Sequence, residues 1–227
     1  MTHYICTRPR PDGTLQTQIL LCRDLEKPET IEDVRRYMPE KVRAVYSDPP
    51  WNPGNLRFWR TFNGQQVATD NYAHFLDSWV GVVAECQSRG ATDVLVEQSI
   101  FQQHSALLLY AFDRNPNFSL PFLEQWTTQY GSPKRPNALL HYGQRQLSTD
   151  PSGMTRDVMV KTVFSGLSPA LKTGDWIVDP CMGLGTTSRV GHAFDCNVFG
   201  TELVPRRLAA TVAWLQKKGY TIEENAS

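Results

Sequence analysis

The stretch DWIVDPCMGLGTTSRV, Asp175 to Val190, contains an apolar strand, a glycine-rich turn and the start of a helix in direct succession. The strand ends at Asp179-Pro180, and Gly183 and Gly185 follow before the helix opens at Thr186-Thr187. Glycines at such a turn let backbone N–H groups approach a ligand closely, and a helix N-terminus favours a negatively charged group. The stretch therefore predicts either a ligand-binding loop or an ordinary strand-to-helix turn without a ligand.

The next strand, NVFGTE from Asn197 to Glu202, ends in an acid. An acidic side chain about 20 residues after a glycine turn can accept hydrogen bonds from both hydroxyls of a ribose. Strand, turn, helix and acid together favour a ligand that carries an adenosine. No lysine follows the glycines, so a phosphate-binding GxxxxGK[ST] loop and a nucleoside triphosphate are disfavoured.

A second unusual stretch, SDPPWNPG from Ser47 to Gly54, follows the apolar run Val42 to Tyr46. A carboxylate and two prolines are poor continuations of a sheet. The stretch is either a turn that packs Trp51 into the core or a stiff polar cup for a flat group that bears an amine. If it is a ligand site, Asp48 and Asp179 should end neighbouring parallel strands at one edge of the sheet, where ligands collect.

Short β-branched runs alternate with helical periods along the chain, which is typical of a parallel-rich α/β sheet. The turn-rich GSPKRP between two apolar runs predicts an antiparallel hairpin at one edge of that sheet. The predicted strands are Val42–Ser47, Asp93–Glu97, Leu123–Tyr130, Asn137–Tyr142, Trp176–Asp179 and Asn197–Glu202. The predicted helices are Asn71–Gln87, Phe101–Phe112, Arg156–Leu171 and one from Pro205 to about Gly219, while Asn52–Asp70 and Gln144–Gly153 are predicted loops.

Composition sets limits on the class of protein. The 227 residues, 41% hydrophobic and 20% charged, fit one globular domain. The 23 basic and 23 acidic residues cancel, so any nucleic-acid contact must come from local patches. Five cysteines without CxxC or Cys/His ligand spacing disfavour disulfides and a metal site, which indicates a reducing cytoplasm. The N-terminus has no apolar signal region and no run could span a bilayer, so we expect no membrane association.

Taken together, the two stretches resemble a known family. DPPW, Asp48 to Trp51, is similar to the catalytic motif of amino-group DNA methyltransferases, and DPCMGLGTT, Asp179 to Thr187, to their S-adenosylmethionine loop. The catalytic motif comes first, as in the permuted β-class. The resemblance implies a Rossmann-like S-adenosylmethionine-dependent methyltransferase fold with a mostly parallel sheet, in a single domain over residues 1–227. Its catalytic half would cover about 41–143 and its cofactor half about 154–222, without a separate target-recognition domain.

The resemblance also implies roles for the motif residues. The Asp48 carboxylate and the Pro49 carbonyl would accept the two hydrogens of an exocyclic amine, Pro50 would fix that carbonyl, and Trp51 would stack on a flipped base. The residues expected to bind S-adenosylmethionine are Asp179, Pro180, Gly183, Gly185, Thr186, Thr187 and Glu202.

Basic and aromatic residues interleave directly after the catalytic motif, at Arg57, Phe58, Trp59 and Arg60. They fit either a clamp for a flipped base and its phosphates or an amphipathic lid packed on the core. Lys134 and Arg135 in the hairpin turn are a further candidate phosphate contact, although an exposed turn commonly carries charge. We therefore name all six as candidate DNA-binding residues.

Three hypotheses about function follow. The first is a DNA adenine-N6 methyltransferase of bacterial or phage type, as in restriction-modification, because Asp48 rather than a serine precedes the prolines. The second is the same fold acting on cytosine N4, RNA adenine or a protein amide. The third is a catalytically silent partner that binds nucleic acid or stabilises an active subunit.

Two departures from the family pattern modify these expectations. Gln144–Gly153 is too short for a base-reading module, so we expect broad specificity, a homodimer or an accessory specificity subunit. The residues after Lys218, GYTIEENAS, leave only a minimal strand to pack beside the strand that ends in Glu202.

Overall fold

The computed structural model describes residues 2–64, 72–100, 102–131, 134–167 and 169–226. The strands are β1 (Thr2–Pro9), β2 (Leu15–Cys22), β3 (Ala44–Ser47), β4 (Asp93–Gln98), β5 (Phe122–Tyr130), β6 (Arg135–Gly143), β7 (Trp176–Asp179), β8 (Asn197–Glu202) and β9 (Thr221–Ala226). The helices are α1 (Pro28–Tyr37), α2 (Pro53–Phe62), α3 (Tyr72–Ser88), α4 (Gln102–Asp113), α5 (Arg156–Ser165), α6 (Thr186–Ala193) and α7 (Pro205–Lys217).

These strands form one sheet in the order β5-β6-β4-β3-β7-β8-β2-β1-β9. The five strands from β4 to β2 in that order are parallel, and an antiparallel pair flanks them on each side. β1 and β6 run antiparallel to the central strands, and β9 and β5 run antiparallel to them in turn. All of these strands except β1 and β6 therefore point the same way. The predicted mostly parallel sheet with the hairpin β5–β6 at one edge is confirmed, and a second antiparallel pair occupies the other edge.

Helices cover both faces of the central strands. Along β3, Val45 packs into the core shared with α1, α3 and α4, whereas Ala44 and Tyr46 face the core shared with α5 and α6. Trp79 of α3 and Met159 of α5 fill these two layers and are fully buried. Burial on both faces explains why the central strands appear in the sequence as continuous apolar runs.

The strand beside the one that ends in Glu202 comes from the N-terminal part of the chain. β2 lies parallel to β8 and places Cys22 opposite Glu202, while β9 pairs with β1 at the outer edge. The expectation of only a minimal strand at this place was therefore wrong. Sequence analysis missed β2 because Gln16 and Gln18 are buried in it, where Gln16 Nε2 donates to the carbonyl of Gly191 at 2.8 Å.

Two further predictions about elements are corrected. The predicted loop Asn52–Asp70 contains α2, because the Asn52 side chain accepts a hydrogen bond from the Asn55 amide at 2.9 Å and Pro53 opens the helix. The helix predicted to reach Leu171 ends at Ser165, because Gly166 follows as its C-cap. Residues 65–71, together with 101 and 168, to which some of these predictions extended, lie outside the described residues.

Candidate active site

Asp48 and Asp179 lie at the carboxyl ends of two neighbouring parallel strands, β3 and β7. The chain continues to β4 on one side of this pair and to β8 on the other. This is the switch point of an open α/β sheet, where ligands bind in the crevice beyond the strand ends. The prediction that both carboxylates end adjacent strands at one edge is confirmed.

A cavity of about 520 Å³ opens at this edge, and residues of both sequence motifs line it. Asp48 to Trp51 line the cavity. Of the residues expected to bind the cofactor, Pro180 and Glu202 line it, whereas Asp179, Gly183, Gly185, Thr186 and Thr187 do not. The volume lies within the range of small-molecule sites. The structure therefore brings the two motifs together in a single cavity, as their resemblance to one family implied.

The glycine turn depends on two left-handed residues. Gly183 and Gly185 have φ values of 57° and 76°, which favour glycine. A Cβ on Gly185 would lie 2.5 Å from the Thr211 side chain, and one on Gly183 would lie 2.5 Å from Arg207 Nη2. The turn therefore keeps its backbone close to α7, and α6 begins at Thr186 directly after it.

Asp179 shapes the turn from beneath and does not line the cavity. Thr187 Oγ1 donates a hydrogen bond to Asp179 Oδ2 at 2.5 Å, and the Cys181 amide donates to Oδ1 at 3.1 Å. Burial raises the pKa of Asp179 to about 7, although both hydrogen bonds oppose the shift. Asp179 and Thr187 thus form a buried local clamp that fixes the path between β7 and α6.

Glu202 lines the cavity at the end of β8. Its Oε1 accepts a hydrogen bond from the Val204 amide at 2.9 Å, and Arg207 Nη1 lies 3.9 Å from the same atom. Burial raises the pKa of Glu202, and the charge of Arg207 opposes this. Asp24 and Leu25, directly after the neighbouring strand β2, line the cavity too. Neither residue is among the predicted site residues, because β2 is not among the predicted strands.

The Asp48 carboxylate is held at both oxygens. Trp51 Nε1 donates to Oδ1 at 2.8 Å, and Arg156 Nη2, from the first residue of α5, lies 2.7 Å from Oδ2. The Tyr72 hydroxyl donates to the Pro50 carbonyl at 2.8 Å and ties the motif to α3. Trp51 therefore orients the carboxylate in addition to presenting an aromatic ring.

Sequence analysis also missed Arg156 and Tyr130. The Tyr130 ring lies edge-on to Trp51, with 4.7 Å between the ring centroids, and it lines the cavity. Both residues are far from the DPPW motif along the chain, and no local pattern marks them. The tertiary fold brings the end of β5 and the start of α5 to the exit of β3.

The residues after the catalytic motif divide between two faces of α2. Phe58 is 55% exposed and stacks on Phe62, which is 50% exposed, and Arg57 is exposed beside them. On the inner face, the Arg207 guanidinium lies 4.1 Å from the centroid of the Trp59 ring. Arg60, also on that side, pairs with Glu26 and lies 3.7 Å from Asp24. Helix α2 thus combines a lid packed on the cavity with an exposed aromatic surface.

Lys134 and Arg135 lie at the start of β6, where both are exposed. Arg135 also lines the cavity, on the same side as Tyr130. Within the described ranges, no cluster of His, Cys, Asp and Glu side chains could hold a metal ion. No helix in that part of the chain is long and apolar enough to cross a membrane.

Neither a family model nor a curated protein sequence matches the chain. Solved structures do match its fold. The complex of M1.HpyAVI with SAM has a TM-score of 0.55 and 15% identity, over 86% of this chain and 98% of that one. TTHA0409 from Thermus thermophilus, complexed with S-adenosyl-L-methionine, has a TM-score of 0.53 and 13% identity, over 88% and 93%. The cytosine-N4-specific PvuII DNA methyltransferase has a TM-score of 0.56 and 12% identity, over 86% and 85%.

At these identities the likeness establishes the fold. The chain has the Rossmann-like fold of S-adenosylmethionine-dependent methyltransferases, which confirms the fold class that the two motifs implied.

Proposed function

We propose that this protein transfers a methyl group from S-adenosylmethionine to the N6 amine of adenine in DNA. The observation that supports this most strongly is that Asp48–Trp51 and Glu202 line one cavity. Direct transfer requires a methyl donor and an amine to lie next to each other in one site. A cavity that joins the two motifs meets this requirement.

Pro180 and Glu202 line the part of the cavity that we call the cofactor wall. They fit S-adenosylmethionine, which would supply a methyl group already activated on a sulfonium. Glu202 is a buried carboxylate that lines the cavity, so it can accept hydrogen bonds from ribose hydroxyls. The turn at Gly183 and Gly185 leads into the N-terminus of α6, which favours a carboxylate such as that of the methionine moiety. Pro180 lines this wall, and we assign Thr186, the first residue of α6, to the methionine end of the cofactor although it does not line the cavity.

Asp48–Trp51 line another part of the cavity, which we call the amine wall. There we assign Asp48 and the Pro49 carbonyl as acceptors for the two N–H groups of the amine. The exocyclic nitrogen is a poor nucleophile because its lone pair is delocalised into the ring, and two acceptors on its hydrogens localise that pair. Pro49 and Pro50 stiffen the backbone that carries the carbonyl. Trp51 and Tyr130 offer aromatic rings against which a flipped base can pack.

Adenine is the favoured target because an aspartate precedes the prolines, as the family resemblance implies. Cytosine N4 is the second candidate, since the PvuII enzyme of that specificity has the same fold. Parallel incubations of labelled S-adenosylmethionine with unmethylated DNA and with RNA, followed by nucleoside analysis, distinguish them. We expect N6-methyladenine. N4-methylcytosine would establish the second candidate, and label in RNA alone or in neither nucleic acid would overturn the proposal.

Target choice is a separate part of the proposal. The described connection Gln144–Gly153 carries no helix or strand, and specific protein–DNA interfaces usually bury about 1,000–2,500 Å² of protein surface. We therefore propose that the enzyme has broad or very short-site specificity, or that it works as a homodimer or with a specificity subunit. We further propose that it acts in the cytoplasm of a bacterial or phage-infected cell. Sequencing of modified bases after reaction with the purified monomer tests this, because a long, strictly read site would contradict it.

A further inference from the structure

A chain of polar contacts runs from the core of the sheet to the catalytic motif. Glu97 on β4 is 1% exposed, and its Oε2 accepts a hydrogen bond from Asn137 Nδ2 at 2.8 Å. The Tyr46 hydroxyl donates to its Oε1. Arg156 Nε lies 2.9 Å from the same oxygen, as an ion pair without hydrogen-bond alignment. Buried strands therefore anchor Glu97, and Glu97 anchors the guanidinium.

The same guanidinium reaches the catalytic carboxylate. Arg156 Nη2 lies 2.7 Å from Asp48 Oδ2, while Trp51 Nε1 holds Oδ1. The Tyr130 ring, 5.3 Å from the guanidinium carbon, packs against its face. Because these partners approach from separate elements, the planar guanidinium can occupy only a narrow range of orientations.

We propose that Arg156 is a positioning residue, which fixes the orientation of the Asp48 carboxylate through its own attachment to Glu97. The inference rests on the proposed methyl transfer and places a residue from the proposed cofactor half of the chain behind Asp48, outside the cavity lining. The Asp48 carboxylate must accept the amine N–H at a defined place. If it can rotate, the reaction slows, because a misplacement of about 1 Å can lower the rate about 100-fold. A lysine can supply the positive charge but only part of this positioning, because its ammonium is a compact point charge without the planar fork.

Ionisation of Glu97 gives a readout that a structural role alone would not. Its surroundings are Tyr46 and Asp48 from β3 and its exit, Arg156 from α5, Asn137 from β6 and Asp179 from β7. Burial and then the charge of Asp48 raise the pKa of Glu97 to about 7, and Arg156 opposes this. Methyl transfer breaks the sulfonium S–CH3 bond, leaves neutral S-adenosylhomocysteine and puts the positive charge on the amine nitrogen until its proton is released. An ionised Glu97 strengthens the anchor on Arg156 and so holds the Asp48 carboxylate beside that charge. We expect kcat to rise as the pH passes through about 7.

The test uses Arg156→Ala, Arg156→Lys and Glu97→Gln, with Lys161→Ala as the matched control. Lys161 is an exposed cation on the same helix. We expect Arg156→Ala to lower kcat about 10- to 100-fold, with the cofactor affinity from calorimetry changed less than about twofold. Arg156→Lys should recover part of the rate, and the control should behave as wild type. Glu97→Gln should remove the rise of kcat near pH 7.

Several outcomes would overturn the positioning role. These are a full rate in Arg156→Ala, an equal loss in the control, or an unchanged pH profile in Glu97→Gln. If Arg156→Ala does not fold, the lysine and glutamine variants carry the test. If wild type binds S-adenosylhomocysteine but methylates no nucleoside, the proposed function fails. The positioning role is then tested by a crystal structure of Arg156→Ala or, if that variant does not fold, of Arg156→Lys. An Asp48 carboxylate that keeps its orientation would contradict it, and a rotated carboxylate would support it.

Discussion

The two walls of the cavity are held by different kinds of contact. Beneath the proposed cofactor wall, Asp179 accepts a hydrogen bond from Thr187, eight residues away, and left-handed Gly183 and Gly185 set the path between them. At the amine wall, Asp48 is held by Arg156, which lies far along the chain. Helix α2 is held over this wall in the same way, since Arg60 pairs with Glu26 from the segment after β2.

The difference shows which part of the site a local motif can specify. A turn whose hydrogen bonds and positive φ values lie within one short segment is specified mainly by the residues of that segment. A carboxylate oriented by a residue from another half of the chain depends on the whole sheet. The cofactor wall should therefore tolerate changes elsewhere in the fold, whereas the amine wall should be sensitive to distant ion pairs.

The largest expected effect is on kcat, which a change in the amine wall should lower without weakening cofactor binding. Asp48→Ala should lower kcat by about 100- to 1000-fold, the size seen when a single catalytic hydrogen-bonding group is removed. Cofactor affinity should stay near that of wild type, because Asp48 belongs to the other wall. Single-turnover methylation and calorimetry on the same preparation measure both. Retention of most of the activity would contradict our assignment of Asp48.

The second prediction concerns pH and the buried clamp of the cofactor wall. The pKa of Asp179 is raised to about 7 from an ordinary value of 3.8, so the folded state keeps a proton that the unfolded state loses between these values. This stabilisation is fully present below about pH 4 and declines as the pH rises toward 7. Each pKa unit corresponds to about 1.4 kcal/mol, so the decline amounts to several kcal/mol at most.

Urea unfolding at pH 5 and pH 8 checks this prediction when Asp179→Asn is compared with wild type. The variant should lose part of the pH dependence, because asparagine carries no charge. Glu97 titrates in the same range, and burial together with the charge of Asp179 raises its pKa, so both proteins are compared in a Glu97→Gln background to isolate Asp179. Identical pH dependence in the two proteins would show that the pKa of Asp179 is not raised in the folded state.

The third prediction tests the cofactor wall by binding. Glu202→Ala should weaken S-adenosylhomocysteine binding by about 1–3 kcal/mol, the cost of leaving ribose hydroxyls without a partner. At saturating cofactor, kcat should change little, which is the reverse of the result for Asp48→Ala. Calorimetry with Glu202→Gln as a shape-matched control measures the contribution of the charge. Unchanged affinity in the alanine variant would exclude Glu202 from the cofactor site.

The smallest expected effects distinguish the two faces of α2. Arg57 is exposed, whereas the side chain of Arg60 is mostly buried beside Glu26 and Asp24. Arg57→Ala should lower the slope of log K for DNA binding against log salt by about 1, the change expected for one phosphate contact. Arg60→Ala should change that slope less and lower the melting temperature more. Equal salt slopes in the two variants would place both arginines, or neither, on DNA.

The sequence predicted most of the sheet because the central strands are apolar on both faces. β7 and β8 have the predicted bounds, and β3, β4, β5 and β6 differ from prediction by at most two residues at an end. β1 and β2 escaped prediction because hydrogen bonds from buried glutamines replace apolar packing in β2. Helix α2 escaped because its start lies in a stretch rich in asparagine, glycine and proline, which also fits a loop.

By itself, the sequence determined the turn after β7, the acid that ends β8 and the proline-stiffened exit of β3. Each depends on φ preferences and hydrogen bonds within a few residues, so each can be recognised locally. Only the tertiary structure decided that β2 lies beside β8 and that Arg156 holds Asp48. These contacts join segments far apart in the chain, and their free energy comes from burial and charge pairing in the folded sheet, which no local pattern records.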